Sequence, residues 1–68
     1  MKKKYYVIVD LDTLEYMKDG LPTTLEDAHR FETLTEVGAE LINYDDSSHF
    51  AIYEVTEDVT YKITRVKK

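Results

Sequence analysis

The chain has 68 residues, no cysteine, one proline and a formal net charge of −5. That length allows a single domain near the lower limit for folding on one core, and the lack of cysteine excludes a disulfide framework and a thiolate metal site. Residues 5–61 hold all 14 acidic residues against two bases, Lys18 and Arg30, a net of −12, while every other base lies at the ends.

Met1-Lys2-Lys3-Lys4 has the charge of a signal-peptide start. The apolar run after it, Tyr5-Tyr6-Val7-Ile8-Val9-Asp10, is too short for the core of one, and no small-residue cleavage site follows. No stretch reaches the length of a membrane span. These features predict a cytosolic chain with no membrane partner, one domain over 1–68 and basic flexible ends at about 1–4 and 66–68.

Tyr5 to Val9 is β-branched and aromatic on both faces, which predicts a strand inside a sheet. Asp10-Leu11-Asp12-Thr13 is a turn, because short polar side chains there bond their own backbone. Leu14-Glu15-Tyr16-Met17 returns as the second strand of a hairpin. Lys18-Asp19-Gly20-Leu21-Pro22 breaks the pattern, since the residue before proline is pushed out of the helical region. Thr24 to Ala28 has the spacing for one helical turn, with Asp27 at the box position. Phe31 then reads as a short strand residue or as an anchor for the helix entry.

Thr33 to Asn43 is the segment that reads most clearly as a helix. Thr33 and Glu36 have capping-box spacing, and Leu34, Val37, Leu41 and Ile42 fall on one stripe of a 3.6-residue period. Gly38 lies on the same stripe. Either a strand or ring packs closely there, or the helix tolerates a glycine at a cost of roughly 1 kcal/mol. Three turns are marginal alone, so the stripe must dock.

After a polar turn over Tyr44-Asp45-Asp46-Ser47-Ser48, Phe50 to Val55 is a strand, Thr56-Glu57-Asp58 a turn, and Val59 to Val66 a strand. In that last strand Val59, Tyr61 and Ile63 alternate with Thr60, Lys62 and Thr64, which predicts one buried and one wet face. A two-residue loop would oppose Ile52 to Ile63, and a three-residue loop would oppose Tyr53 to Tyr61; the register stays open. The sum is α+β, ββαββ: an antiparallel four-stranded sheet with one helix, about 33–43, packed on one face.

Tyr6-Val7-Ile8, Leu14-Glu15-Tyr16 and Ala28-x-x-Phe31-x-Thr33-x-x-Glu36, in that order, resemble short proteins encoded by phages and prophages of Gram-positive bacteria. The resemblance runs over roughly residues 5–55. Those proteins commonly carry alanine after the box glutamate, where this chain has Val37. The resemblance implies an accessory or host-interacting protein and brings no catalytic residue.

Several chemistries fail on spacing. Val7-Ile8-Val9-Asp10-Leu11-Asp12-Thr13 looks like the first motif of the haloacid-dehalogenase phosphatases. It lacks one residue before the threonine and a downstream Lys–Asp pair, and 68 residues cannot supply the βαβ core. An EF-hand opening at Asp10 would need glycine and glutamate where Glu15 and Leu21 stand. Asp45, Ser47 and His49 are too close in sequence to converge as a triad. His29 and His49 lack metal-ligand spacing and read as surface imidazoles. No enzyme, cofactor or metal is expected.

Six tyrosines remain. Those facing away from the helix, Tyr5 or Tyr6 with Tyr16, Tyr53 and Tyr61, form either a binding face or cross-strand packing. With an acidic rim of Asp45, Asp46, Glu54, Glu57 and Asp58, they predict a protein-binding module that prefers a basic partner, mimicry of DNA phosphates being one form of it. The alternative is nucleic-acid binding through Lys2, Lys3, Lys4, Arg65, Lys67 and Lys68 with the sheet tyrosines. That patch is continuous if the first and last strands are antiparallel neighbours and split if they run parallel. Edge strands unprotected by proline also admit a homodimer.

Overall fold

A computed structural model describes residues 2–44 and 47–66. Five strands and one helix follow the chain: β1 (Lys3–Asp10), β2 (Tyr16–Lys18), β3 (Leu21–Thr23), α1 (Leu34–Ile42), β4 (Phe50–Glu57) and β5 (Tyr61–Arg65), with one 3-10 turn at Ser47–His49 before β4. The strands form one antiparallel sheet in the order β3-β2-β1-β4-β5. The class is α+β, and β1 is central, as its two apolar faces require.

The expected four-strand ββαββ order is corrected by β3. Gly20, at φ 81°, and Asp19, at φ 52°, turn the chain tightly, so Pro22 lies opposite Met17 in a third short strand. A proline lacks the donor for an inner ladder and is at home on an edge. The expectation that no edge carries proline therefore fails for this one. Lys3 and Lys4 also belong to β1, opposite Glu57 and Thr56, rather than to a loose end.

Pairing sorts the side chains into two faces, because residues directly opposite one another share a face and alternate along each strand. Tyr6 and Ile8 join Met17, Phe31 and Val37 in a buried cluster beneath α1. Tyr5, Val7, Val9 and Val55 form a second cluster with Ala28 on the other face, where Tyr16, Leu25 and Tyr53 pack against them. The segment between β3 and α1 serves both faces. Residues Thr24–Asp27 make a turn closed by the Asp27 N–H on the Thr24 carbonyl (3.1 Å) rather than the expected helical turn. Phe31 then exchanges both backbone hydrogen bonds with Tyr6 at 2.8 and 2.9 Å. It fills the part of the β1 flank that β2, paired only at Val9 and Tyr16, leaves open.

The Thr33 half of the expected capping box forms, while the Glu36 carboxylate meets the Thr33 hydroxyl rather than the Thr33 N–H. The Thr33 hydroxyl accepts from the Glu36 N–H at 3.2 Å and donates to the Glu36 carboxylate at 3.1 Å. The apolar stripe is only partly covered. Val37 is buried, but Leu34 is 48% and Ile42 80% exposed. A Cβ built on Gly38 meets nothing within 4 Å, so no close approach explains the glycine and the helix simply tolerates it.

The β4–β5 hairpin corrects both expected registers. Val55 faces Ile63 and Glu57 faces Tyr61 across a three-residue connection, Asp58-Val59-Thr60. The reason is β1: Thr56 and Glu57 continue β4 because Lys4 and Lys3 pair with them, which moves the turn toward the C-terminus. Val59 thereby sits at the tip, 94% exposed.

Candidate protein-binding surface

The tyrosine face forms from the register alone. Tyr5 lies opposite Val55, Val7 opposite Tyr53, and Tyr53 opposite Arg65, while Glu57 stands beside Tyr61. Tyr5, Tyr53 and Tyr61 therefore share one face with Tyr16, which packs on the same cluster, and Tyr6 is on the helix side. The face is not open throughout. Leu25, Ala28 and Arg30 lie over its β1 half. The Arg30 guanidinium sits 4.4 Å from the Tyr5 ring centre and 3.9 Å from the Glu57 carboxylate. The Tyr5 hydroxyl donates to the same carboxylate at 3.2 Å. Burial pushes the Tyr5 pKa up, the Arg30 charge opposes that shift, and the hydrogen bond to Glu57 adds to it.

Among the described residues the acidic rim is divided. Glu54 is opposite Tyr6 and so lies on the helix face, where it meets Lys4 at 3.4 Å. Glu57 is engaged by Tyr5 and Arg30 on the tyrosine face, and Asp58 is in the turn. Asp45 and Asp46 lie outside the described residues.

The terminal bases are likewise divided among the described residues. β1 and β5 both run antiparallel to β4, so they are parallel to each other with β4 between them. Through β4, Lys3 is in line with Tyr61, whereas Arg65 is in line with Val7. Four strand residues, about 13 Å, separate the two levels. Lys2 precedes β1 at the Lys3 end. Lys67 and Lys68 lie outside the described residues.

β5 is what remains exposed, and every one of its residues is open to solvent. On the tyrosine face it presents Tyr61, 51% exposed, and Ile63. On the helix face an apolar groove of about 1130 Å³ between α1 and β4 reaches the C-terminal end of β5, lined by Leu34, Leu41, Ile42, Ile52, Arg65 and Val66. The sequence held one signal for this groove, the width of the stripe: Ile42 lies far round the helix from Val37 and stays exposed.

The backbone edge is also defined. The Val66 N–H donates to the Ile52 carbonyl at 2.9 Å. Bonded and non-bonded pairs alternate in an antiparallel ladder, so Thr64 and Lys62 bond inward to Glu54 and Thr56. The N–H and C=O groups of Tyr61, Ile63 and Arg65 therefore point away from β4.

One polar cluster escaped the sequence reading. The His49 imidazole lies 3.3 Å from Asp10 and 2.9 Å from Asp12, and the Leu11 N–H donates to the His49 carbonyl at 2.9 Å. The Asp10 carboxylate also accepts from the Asp12 and Thr13 N–H groups at 2.8 and 3.4 Å. It closes the turn after β1 rather than standing free as a nucleophile. His29 stacks on Phe31 with 4.1 Å between ring centres. Among the described residues no group of His, Cys, Asp and Glu side chains is arranged to hold a metal ion. No helix among them is long and apolar enough to cross a membrane.

Compared with known proteins, the chain matches no family model, no curated protein and no solved structure.

Proposed function

We propose that this chain is a small acidic protein-binding module without enzymatic activity, and that it binds along β5. The observation that carries the reading is an edge strand with outward backbone groups, no proline, exposed Tyr61 and Ile63 on one face and an apolar groove at its C-terminal end. An exposed edge accepts another extended segment through main-chain hydrogen bonds, and pockets beside it select the side chains. The other edge is unsuited to this, because β3 has three residues and carries Pro22. The sequence resemblance supports an accessory or host-interacting role of phage or prophage type. The absence of cysteine fits a cytoplasmic setting.

The preference for a basic partner has less support, since Glu54 and Glu57 are already occupied by Lys4 and Arg30. Nucleic-acid binding through one terminal patch is disfavoured by the separation of Lys3 from Arg65.

An array of ten-residue peptides of random sequence tests the module. Ile63→Lys sets a charge on the edge and is expected to lower retention of the bound peptides at least about tenfold. Leu21→Lys, on the opposite edge strand, is expected to leave retention unchanged. Equal retention by Ile63→Lys and the unaltered chain would count against β5.

A further inference from the structure

We infer that the segment received by β5 is the β5 strand of a second copy, in a two-fold antiparallel pairing centred on Ile63. This rests on the reading of β5 as the binding edge and names its partner. The ladder decides the centre. Tyr61, Ile63 and Arg65 point their backbone groups outward, and Ile63 is the middle residue of the strand. With the axis at Ile63, Ile63 faces its own counterpart and Tyr61 faces the second copy's Arg65. Every outward N–H and C=O of those residues then meets a complementary group. A shift of one residue would bring inward-bonded groups to the interface and leave outward ones unpaired.

Side chains agree with that register. Tyr61 against Arg65 sets an aromatic face beside a guanidinium, a favourable pair. Ile63 against Ile63 is apolar, and Lys62 falls opposite Thr64, so no two like charges are directly opposed. The charges of β5 itself are Lys62 and Arg65. Antiparallel pairing about Ile63 sets them against Thr64 and Tyr61, whereas in-register parallel pairing would oppose Lys62 to Lys62 and Arg65 to Arg65. The same register brings Thr60 opposite Val66. The turn bearing the exposed Val59 then lies alongside the mouth of the groove at Val66 and Ile52.

The test is the mass of the full chain by sedimentation equilibrium over a wide concentration range, with circular dichroism to confirm folding of each variant. Self-pairing predicts a rise toward twice the 8.0 kDa chain mass, a dimer weakened at least about tenfold by Ile63→Lys, and no change with Leu21→Lys. The chain has no other cysteine, so Ile63→Cys reads the axis directly. Opposed bonded residues hold their Cα atoms about 5.5 Å apart, within disulfide range. Mild oxidation should cross-link Ile63→Cys to itself and leave Tyr61→Cys largely without a cross-link. A dimer indifferent to Ile63→Lys would overturn the inference. A monomer at every concentration overturns it too, and the peptide array then separates the cases. Peptide retention sensitive to Ile63→Lys leaves the binding edge standing without self-pairing, and retention insensitive to it removes both readings.

Discussion

The two halves of the sheet differ in cover, although both are built from similar residues. β1 has five consecutive buried residues, Tyr5 through Val9. β5 carries Tyr61, Ile63 and Thr64 and buries none of them. The difference comes from the connecting chain. Residues between β3 and β4 wrap β1 on both sides, with Leu25, Ala28 and Arg30 on one face and Phe31, Val37 and Leu41 on the other. Nothing among the described residues reaches over β5. One half thus supplies the core, and the other leaves a strand of β-branched and aromatic residues open to solvent. β-branched and aromatic residues fit a pleated, half-buried setting, which the described residues do not give to β5.

The sharpest way to break that contrast is to truncate the same residue type in each half. Ile8→Ala removes a fully buried side chain from under the helix and is expected to cost about 2–5 kcal/mol. A core of this size supplies only roughly 3–5 kcal/mol, so the variant should be largely unfolded in buffer. Ile63→Ala, followed in dilute protein by urea unfolding, is expected to shift stability by no more than about 0.5 kcal/mol. Equal costs would show that β5 is covered in solution.

Smaller and of opposite sign is Gly38→Ala. The added methyl meets open space, and the helix gains from a residue that restricts the unfolded chain, so about 0.5–1 kcal/mol of stabilisation is expected. A loss of stability would mean that something packs against Gly38 after all.

The mildest probe is alkaline pH. Tyr5 lies in the covered half, and its burial raises its pKa above the ordinary value of 10.0. The unfolded chain therefore loses this proton before the folded one. The stability Tyr5 contributes is whole below about pH 10 and declines as pH rises from there through the folded value. Tyr44, where burial likewise raises the pKa against a lowering backbone hydrogen bond from Gly20, acts in the same direction. Ultraviolet titration should show tyrosinate forming late in the folded chain, and Tyr5→Phe should reduce that late fraction. Full ionisation near pH 10 without unfolding would show that Tyr5 is open to water.

Local signals in the sequence carried the elements. The Thr33–Glu36 box placed the start of α1, the two apolar faces of Tyr5 to Val9 placed β1 inside the sheet, and alternation identified β5 as a strand. What failed required partners far away in sequence. Pro22 read as a breaker and is instead a tolerated edge residue, because only the sheet order puts it at an edge. The β4–β5 turn was displaced because Lys3 and Lys4 extend β4. Glu54 and Glu57 of the expected acidic rim fall on opposite faces, a matter of register.

Residue order by itself therefore determined that a helix would be capped at Thr33 and that four segments would prefer extended backbone, with tyrosines along them. These follow from contacts within a turn or from the two-residue period of a strand. Tertiary structure decided which tyrosines are covered, which carboxylates are paired and which edge stays bare. Those outcomes depend on where a short connecting segment is able to reach, and among the described residues that segment covers β1 and leaves β5 open.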